Sequence, residues 1–230
     1  MAKGATTKTS ATVRKSAKSA TKTITESMRP SKPSSTRFKG RVRKVVLLGH
    51  PALRTRAQPV RKVTPKIRAL IQDMFATLHD CNGLGLAANQ VGVLHRVFVV
   101  RYDEKAYALI NPEVVWHSDD IEEQPEGCLS IPQVQGTIPR HKRLRVRAWD
   151  ESGARIQVEV EGMLARIFQH EIDHLDGVLI LDRAIEGTLQ WVLRETDESG
   201  EETITIIPTT SREVESVFRM QSKRNREQKA

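Results

Sequence analysis

The stretch Gln169-His170-Glu171-Ile172-Asp173-His174-Leu175-Asp176-Gly177 decides how the chain is read. Its pattern is H-E-x-x-H. Residues four apart lie on one face of an α-helix, one turn above the other, so His170 and His174 offer two imidazoles to one metal ion. Glu171, beside the first of them, is placed to take a proton from water that such a metal activates. Gly177 suits a helix stop, where a left-handed residue is common. The pattern alone does not decide, because a His pair at this spacing also occurs in helices that bind nothing. Met163, Leu164, Ile167, Phe168, Ile172 and Leu175 wrap more than one side of the helix. A helix apolar nearly all round is buried. Two imidazoles and a carboxylate inside a core need partners.

A catalytic zinc-type site takes three protein ligands and keeps one position open. No histidine follows His174, which excludes a three-histidine version. Asp176, Asp182 and Glu186 remain as carboxylate candidates downstream. Upstream, Cys128 is a soft ligand inside Pro125-Glu126-Gly127-Cys128-Leu129-Ser130-Ile131-Pro132, where Gly127 permits close approach and the flanking prolines mark an edge or irregular segment. The ordinary alternative for Cys128 is a buried apolar residue. A third segment, Gly83-Leu84-Gly85-Leu86-Ala87-Ala88-Asn89-Gln90, is small-residue-rich, so its backbone can run close to a ligand or another surface. It is not a phosphate loop, since no Gly-Lys-Ser/Thr follows. Gln90 either caps a turn or aims its amide at a carbonyl oxygen.

Taken together, GLGLAANQ (83–90), EGCLS (126–130) and QHEIDHLDG (169–177) resemble, in order and separation, the three signature motifs of peptide deformylases. The resemblance runs from about Val45 to Arg183. It implies an α+β fold, with antiparallel β-sheets packed around a central metal-binding H-E-x-x-H helix. It implies that Cys128, His170 and His174 hold one divalent ion, Fe²⁺ first, with zinc, nickel or cobalt as alternatives. By the same resemblance Glu171 is the general base and acid, and Gln90 and the Leu129 N–H stabilise the oxyanion. Gly85 meets the substrate backbone. The implied reaction removes the formyl group from the N-terminal formylmethionine of new polypeptides and releases formate. The apolar pocket for the methionine chain draws on the metal helix, where Met163 is a better lining residue than Arg166.

The rest of the chain frames this site. Of the 37 basic residues, thirteen fall in residues 1–44 beside a single acid, Glu26. The remainder has 24 bases against 27 acids, so the net charge of +9 belongs to the leader and not to the fold. Residues 1–40 are Lys/Ser/Thr/Ala-rich and cannot bury enough surface to order themselves. A disordered tail is the primary expectation. An organelle transit peptide and an arm touching the ribosome are the functional alternatives, with a cytoplasmic location otherwise. Two cysteines, Cys81 and Cys128, are too few for a disulfide framework. No apolar run approaches the length of a membrane span. A monomer is expected.

A first helix opens at Thr64-Pro65, with Ile67, Leu70, Ile71, Met74, Phe75 and Leu78 forming one stripe. Strands are expected at 97–100, 106–110 and 114–116, the last two parted by an Asn111-Pro112 turn. Leu144, Val146 and Ala148 face Ile156, Val158 and Val160 in a hairpin whose other side pairs arginines with glutamates. The catalytic domain is assigned to residues 41–186. Residues 187–230 form an extension, a second hairpin followed by a helix whose capping box joins Thr210 to Glu213.

Overall fold

The computed structural model describes residues 22–24, 39–196 and 202–227. In chain order its strands are β1 (Lys22–Ile24), β2 (Gly85–Ala87), β3 (Val97–Tyr102), β4 (Lys105–His117), β5 (Ile121–Cys128), β6 (Ile131–His141), β7 (Arg143–Trp149), β8 (Arg155–Glu161), β9 (Gln190–Thr196) and β10 (Glu202–Pro208). Its helices are α1 (Pro65–Asp80), α2 (Gly162–Leu175), the single turn α3 (Ile180–Arg183) and α4 (Ser211–Glu227). One sheet has the order β1-β8-β7-β4-β3-β2 and the other β10-β9-β6-β5. Apart from the parallel β1–β8 contact, every strand pair is antiparallel. The architecture is α+β, with α2 in contact with both sheets.

The local rules hold where the sequence was most periodic. Thr64 caps α1, its hydroxyl accepting from the Ile67 N–H at 3.4 Å. Every member of the Ile67–Leu78 stripe is buried. It packs on Leu86, Val97, Val99 and Ile110 of the first sheet. In the β7–β8 hairpin Leu144, Val146 and Ala148 pair with Val160, Val158 and Ile156, as their alternation requires. On its outer face Arg145 Nε donates to Glu159 Oε1 at 2.7 Å. The α2 face opposite the metal motif closes on the same sheet, with Phe168 edge-on to Phe98 at 5.2 Å.

One expectation is corrected. Asn111-Pro112 does not turn the chain. Strand β4 runs straight through it, with a register shift between Ile110 and Glu113. Asn111 takes a left-handed conformation (φ 53°), which asparagine tolerates. Its side chain holds the Val60 peptide from both sides, accepting from Val60 N at 2.7 Å and donating to Val60 O at 2.8 Å. A bulge stapled by an amide thus replaces the turn. In the leader, Lys22–Ile24 lies as a short parallel strand along Ile156–Val158. The rest of residues 1–38 lies outside the described residues.

Val45–Leu48 forms no strand but a strap between two distant loops. The Val46 N–H donates to Gln90 O at 2.8 Å and the Leu48 N–H to Ser130 O at 2.9 Å. The C-terminal extension is built into the same body. Strand β9 pairs with β6, and Val214 and Phe218 of α4 are buried with Leu48, Leu53, Cys128, Ile131 and Ile138. The Thr210–Glu213 capping box forms as expected.

Candidate metal centre

Three segments far apart in sequence meet at α2. The helix presents His170 and His174 one turn apart, with ring centroids 5.0 Å from each other. Strand β5 ends at Cys128, and the two-residue link Leu129-Ser130 leads into β6. Cys128 Sγ lies 3.2 Å from His174 Nε2. One donor atom from each of Cys128, His170 and His174 lies within 4.8 Å of the other two. Such a sulfur-plus-two-imidazole set suits a tetrahedral cation with one position left for solvent or substrate. Two of the three rival carboxylates are engaged elsewhere. Asp176 Oδ1 accepts from Arg96 Nη1 at 2.6 Å, and Asp182 holds Arg54 and the Leu179 N–H.

Glu171 lies on the same helix, fully enclosed. A Cβ added to Gly85 would sit 2.3 Å from Glu171 Oε1, so the glycine is what leaves room for the carboxylate. Glu171 Oε2 and His174 Nδ1 are buried polar atoms without a protein partner among the described residues. A buried, unpartnered carboxylate beside a Cys/His/His cluster is what a site for a cation and a polar substrate requires. Burial pushes the Glu171 carboxyl up to about 7, against the opposing pull of His170. Burial also holds His174 well below the usual imidazole range, leaving its ring neutral and able to bind metal.

Gln90 ends a short turn after β2. Its Oε1 accepts from the Ala87 N–H at 2.8 Å, which aims the amide nitrogen inward. That nitrogen lies 3.8 Å from Cys128 Sγ and 3.3 Å from Ser130 Oγ. Leu129 is the neighbour of Cys128, and its side chain stands 2.9 Å from where a Gly83 Cβ would be. The glycine-rich segment and the β5–β6 tip are therefore facing walls of one cleft. Met163 is not brought into this group: it is 37% exposed on the first turn of α2. Arg166 is buried and joins an ion cluster.

That cluster was not foreseen. Glu126 Oε2 lies 3.0 Å from His170 Nδ1, which fixes the ring and leaves its other nitrogen for a cation. Glu126 is held in turn by Arg140 (Nε to Oε1, 2.9 Å) and Arg166 (Nη1 to Oε1, 2.8 Å). Arg140 also reaches Asp173 at 2.6 Å, and Arg183 reaches it at 2.8 Å. Burial alone would raise the Glu126 carboxyl, but hydrogen bonds from His170 and Arg140 outweigh it and hold it at about 2. Asn89 was missed too; its amide donates to the His174 carbonyl. Glu126 had a signal, since a residue two before Cys128 shares its strand face. Arg140 had none, being placed by sheet register alone.

A family model described as polypeptide deformylase matches residues 42–189. The chain belongs to the polypeptide deformylase family. It is 45% identical over 149 residues to the peptide deformylase of Dictyoglomus thermophilum, a span of 65% of this chain and 97% of that protein. It is 45% identical over 147 residues to that of Treponema pallidum, covering 64% and 91%. The crystal structure of the Thermotoga maritima peptide deformylase superposes with a TM-score of 0.62 at 41% identity, over 63% of this chain and 98% of that one. The peptide deformylase of Synechococcus elongatus, solved in complex with actinonin, gives 0.62 at 34% identity over 64% and 85%. This deformylase is thus a metal-dependent hydrolase that removes the N-formyl group from nascent peptides.

Proposed function

We propose that Cys128, His170 and His174 hold one divalent cation, natively Fe²⁺, and that Glu171 moves the proton during deformylation. The observation that carries this reading is the convergence of three donors from β5 and α2 beside a buried, unpartnered carboxylate. The bound ion supplies Lewis acidity, drawing the acidity of water toward neutrality and polarising the formyl carbonyl. Glu171, ionised, takes a proton from the attacking water. It then gives that proton to the departing amine, which leaves as the free N-terminus of methionine. A carboxyl poised at about 7 suits both transfers.

Negative charge builds on the former formyl oxygen as water adds. The Gln90 amide, locked by the Ala87 N–H, and the Leu129 N–H at the hairpin tip are the donors proposed to meet it. Gly85 brings β2 to the floor of the cleft, where its backbone aligns the substrate chain, and Met163 is retained as a proposed rim residue for the methionine side chain. Glu126 keeps His170 in one tautomer by occupying its Nδ1. Zinc, nickel and cobalt fit the same donors. The thiolate makes the Fe²⁺ form sensitive to oxygen. A monomeric cytoplasmic enzyme whose basic leader contacts the ribosome completes the proposal; co-sedimentation with and without residues 1–38 tests that contact.

Formate release from formyl-Met-Ala-Ser, with protein purified without oxygen and its metal identified by elemental analysis, tests the whole. Glu171→Ala should keep the metal and lose turnover. Turnover at the wild-type rate would remove Glu171 from the mechanism.

A further inference from the structure

The two donors proposed to meet the oxyanion, the Gln90 amide and the Leu129 N–H, sit on separate loops. A third segment ties the backbones of those loops together. The Val46 N–H donates to the Gln90 carbonyl at 2.8 Å, and the Leu48 N–H donates at 2.9 Å to the carbonyl of Ser130, next to Leu129. Neither bond belongs to a helix or a strand ladder. N–H groups along an extended chain alternate sides, so those of Val46 and Leu48 point the same way, about 7 Å apart. The strap therefore sets the spacing of the two loops.

That spacing reaches the Gln90 amide directly. Its Oε1 is held by the Ala87 N–H of the same turn, so the amide moves with the turn. Its Nε2 lies 3.3 Å from Oγ of the buried Ser130. The turn is tied again just beyond the strap, at the short 3-10 turn Pro51–Arg54. Asn89, beside Gln90, donates from Nδ2 to the Ala52 carbonyl at 3.4 Å and also to the carbonyl of His174. The strap has its own backing. Leu48 is buried in one cluster with Val214 and Phe218 of α4, and a Cβ on Gly49 would lie 3.8 Å from Ser222 Oγ. Residues 214, 218 and 222 are four apart and share one face of the helix. The family match ends at residue 189, so this backing comes from beyond it.

We propose that Val46 and Leu48 are positioning residues for the oxyanion donors, with α4 as their support. Their N–H groups hold the Gln90 turn and the Leu129 tip at the separation that lets both donors reach one oxygen. The inference rests on the oxyanion reading of Gln90 and Leu129. Charge on that oxygen exists only as water adds, so a misplaced donor lowers kcat and leaves KM unchanged.

The test is a double-mutant cycle on the full-length, metal-loaded enzyme, read as kcat and KM for formyl-Met-Ala-Ser beside metal content. Val46→Pro removes the N–H that holds the Gln90 carbonyl. It should lower kcat by about tenfold, a part of the roughly 100–1,000-fold that a whole donor is worth, with KM unchanged. In Gln90→Ala the donor is already gone, so the same proline should cost less than about threefold. Partial unfolding or metal loss would cost the same in both backgrounds. Phe218→Ala loosens the support and keeps the strap N–H groups. It should also cost more kcat in the wild type than in Gln90→Ala, and it carries the test if proline at 46 prevents folding. An equal cost in both backgrounds, or an unchanged kcat in Val46→Pro at full metal content, overturns the positioning role and leaves the oxyanion reading in place. Gln90→Ala at the wild-type rate overturns both.

Discussion

Gly85 and Glu171 occupy each other's space: a methyl group on the one would lie 2.3 Å from a carboxylate oxygen of the other. Strand β2, proposed to lie against the substrate, and α2, which carries the proposed proton-transfer carboxylate, are thereby fixed at a separation only glycine allows. Gly85→Ala should push Glu171 aside while leaving the three metal donors in place. A catalytic group displaced by about 1 Å typically loses on the order of 100-fold in rate. Steady-state kinetics with metal analysis check this; full activity at full metal content would show that the contact is soft.

Glu171 should also leave a mark on stability. Burial raises its folded pKa to about 7, above the ordinary carboxyl value of 4.5, so the folded state binds the proton more tightly. Stability from this group is fully present below pH 4.5 and is lost as pH rises through 7. In metal-free protein Glu171→Gln should remove that decline, gaining about 3 kcal/mol relative to wild type at pH 8 and nothing at pH 4. Denaturant titrations at the two pH values measure it. A bound cation favours the carboxylate, so the acid limb of activity in the loaded enzyme should fall at or below 7.

Glu126 has the opposite sign. Held at about 2 against 4.5, it contributes stability above pH 4.5 that disappears as pH falls toward 2. Glu126→Ala leaves Arg140 with Asp173 alone and Arg166 with only the Ile138 and Glu122 carbonyls, a loss of at most about 3–5 kcal/mol. It should also weaken metal binding by roughly 10–100-fold, because His170 loses its tether. Chelator competition separates the second effect from the first.

Metal uptake should release a proton. Burial would lower His170, but hydrogen bonds to Cys128 and Glu126 and the charge of Glu171 together raise it well above the imidazole range. A cation must displace that proton, so calorimetric titration in two buffers of different ionisation heat should give different apparent enthalpies at pH 7. Equal enthalpies would mean that the three donors take up the cation without releasing a proton. In the same assay Cys128→Ser should bind far more weakly than wild type.

Most of the frame could be read from residues alone. The stripe Ile67–Leu78, the alternation at 144–160 and the Thr210–Glu213 box each carry a local periodicity that packing then respects. The candidate ligands were legible for the same reason: His170 and His174 are linked by helical spacing, and Cys128 is marked by its glycine neighbour within a motif. What escaped depends on register between distant strands. Nothing near Arg140 marks it as the partner of Glu126, fourteen residues away, or of Asp173 on another element. Asn111-Pro112 misled because the same dipeptide serves a turn or a stapled bulge, and the choice lies with Val60, fifty-one positions upstream.

Val214 and Phe218 of α4 seal the cluster that contains Cys128. During synthesis the sulfur is made some ninety residues before the side chains that cover it. A growing copy of this enzyme therefore carries that sulfur without its α4 cover until α4 has emerged. Oxidants and adventitious metals have that interval in which to reach it first.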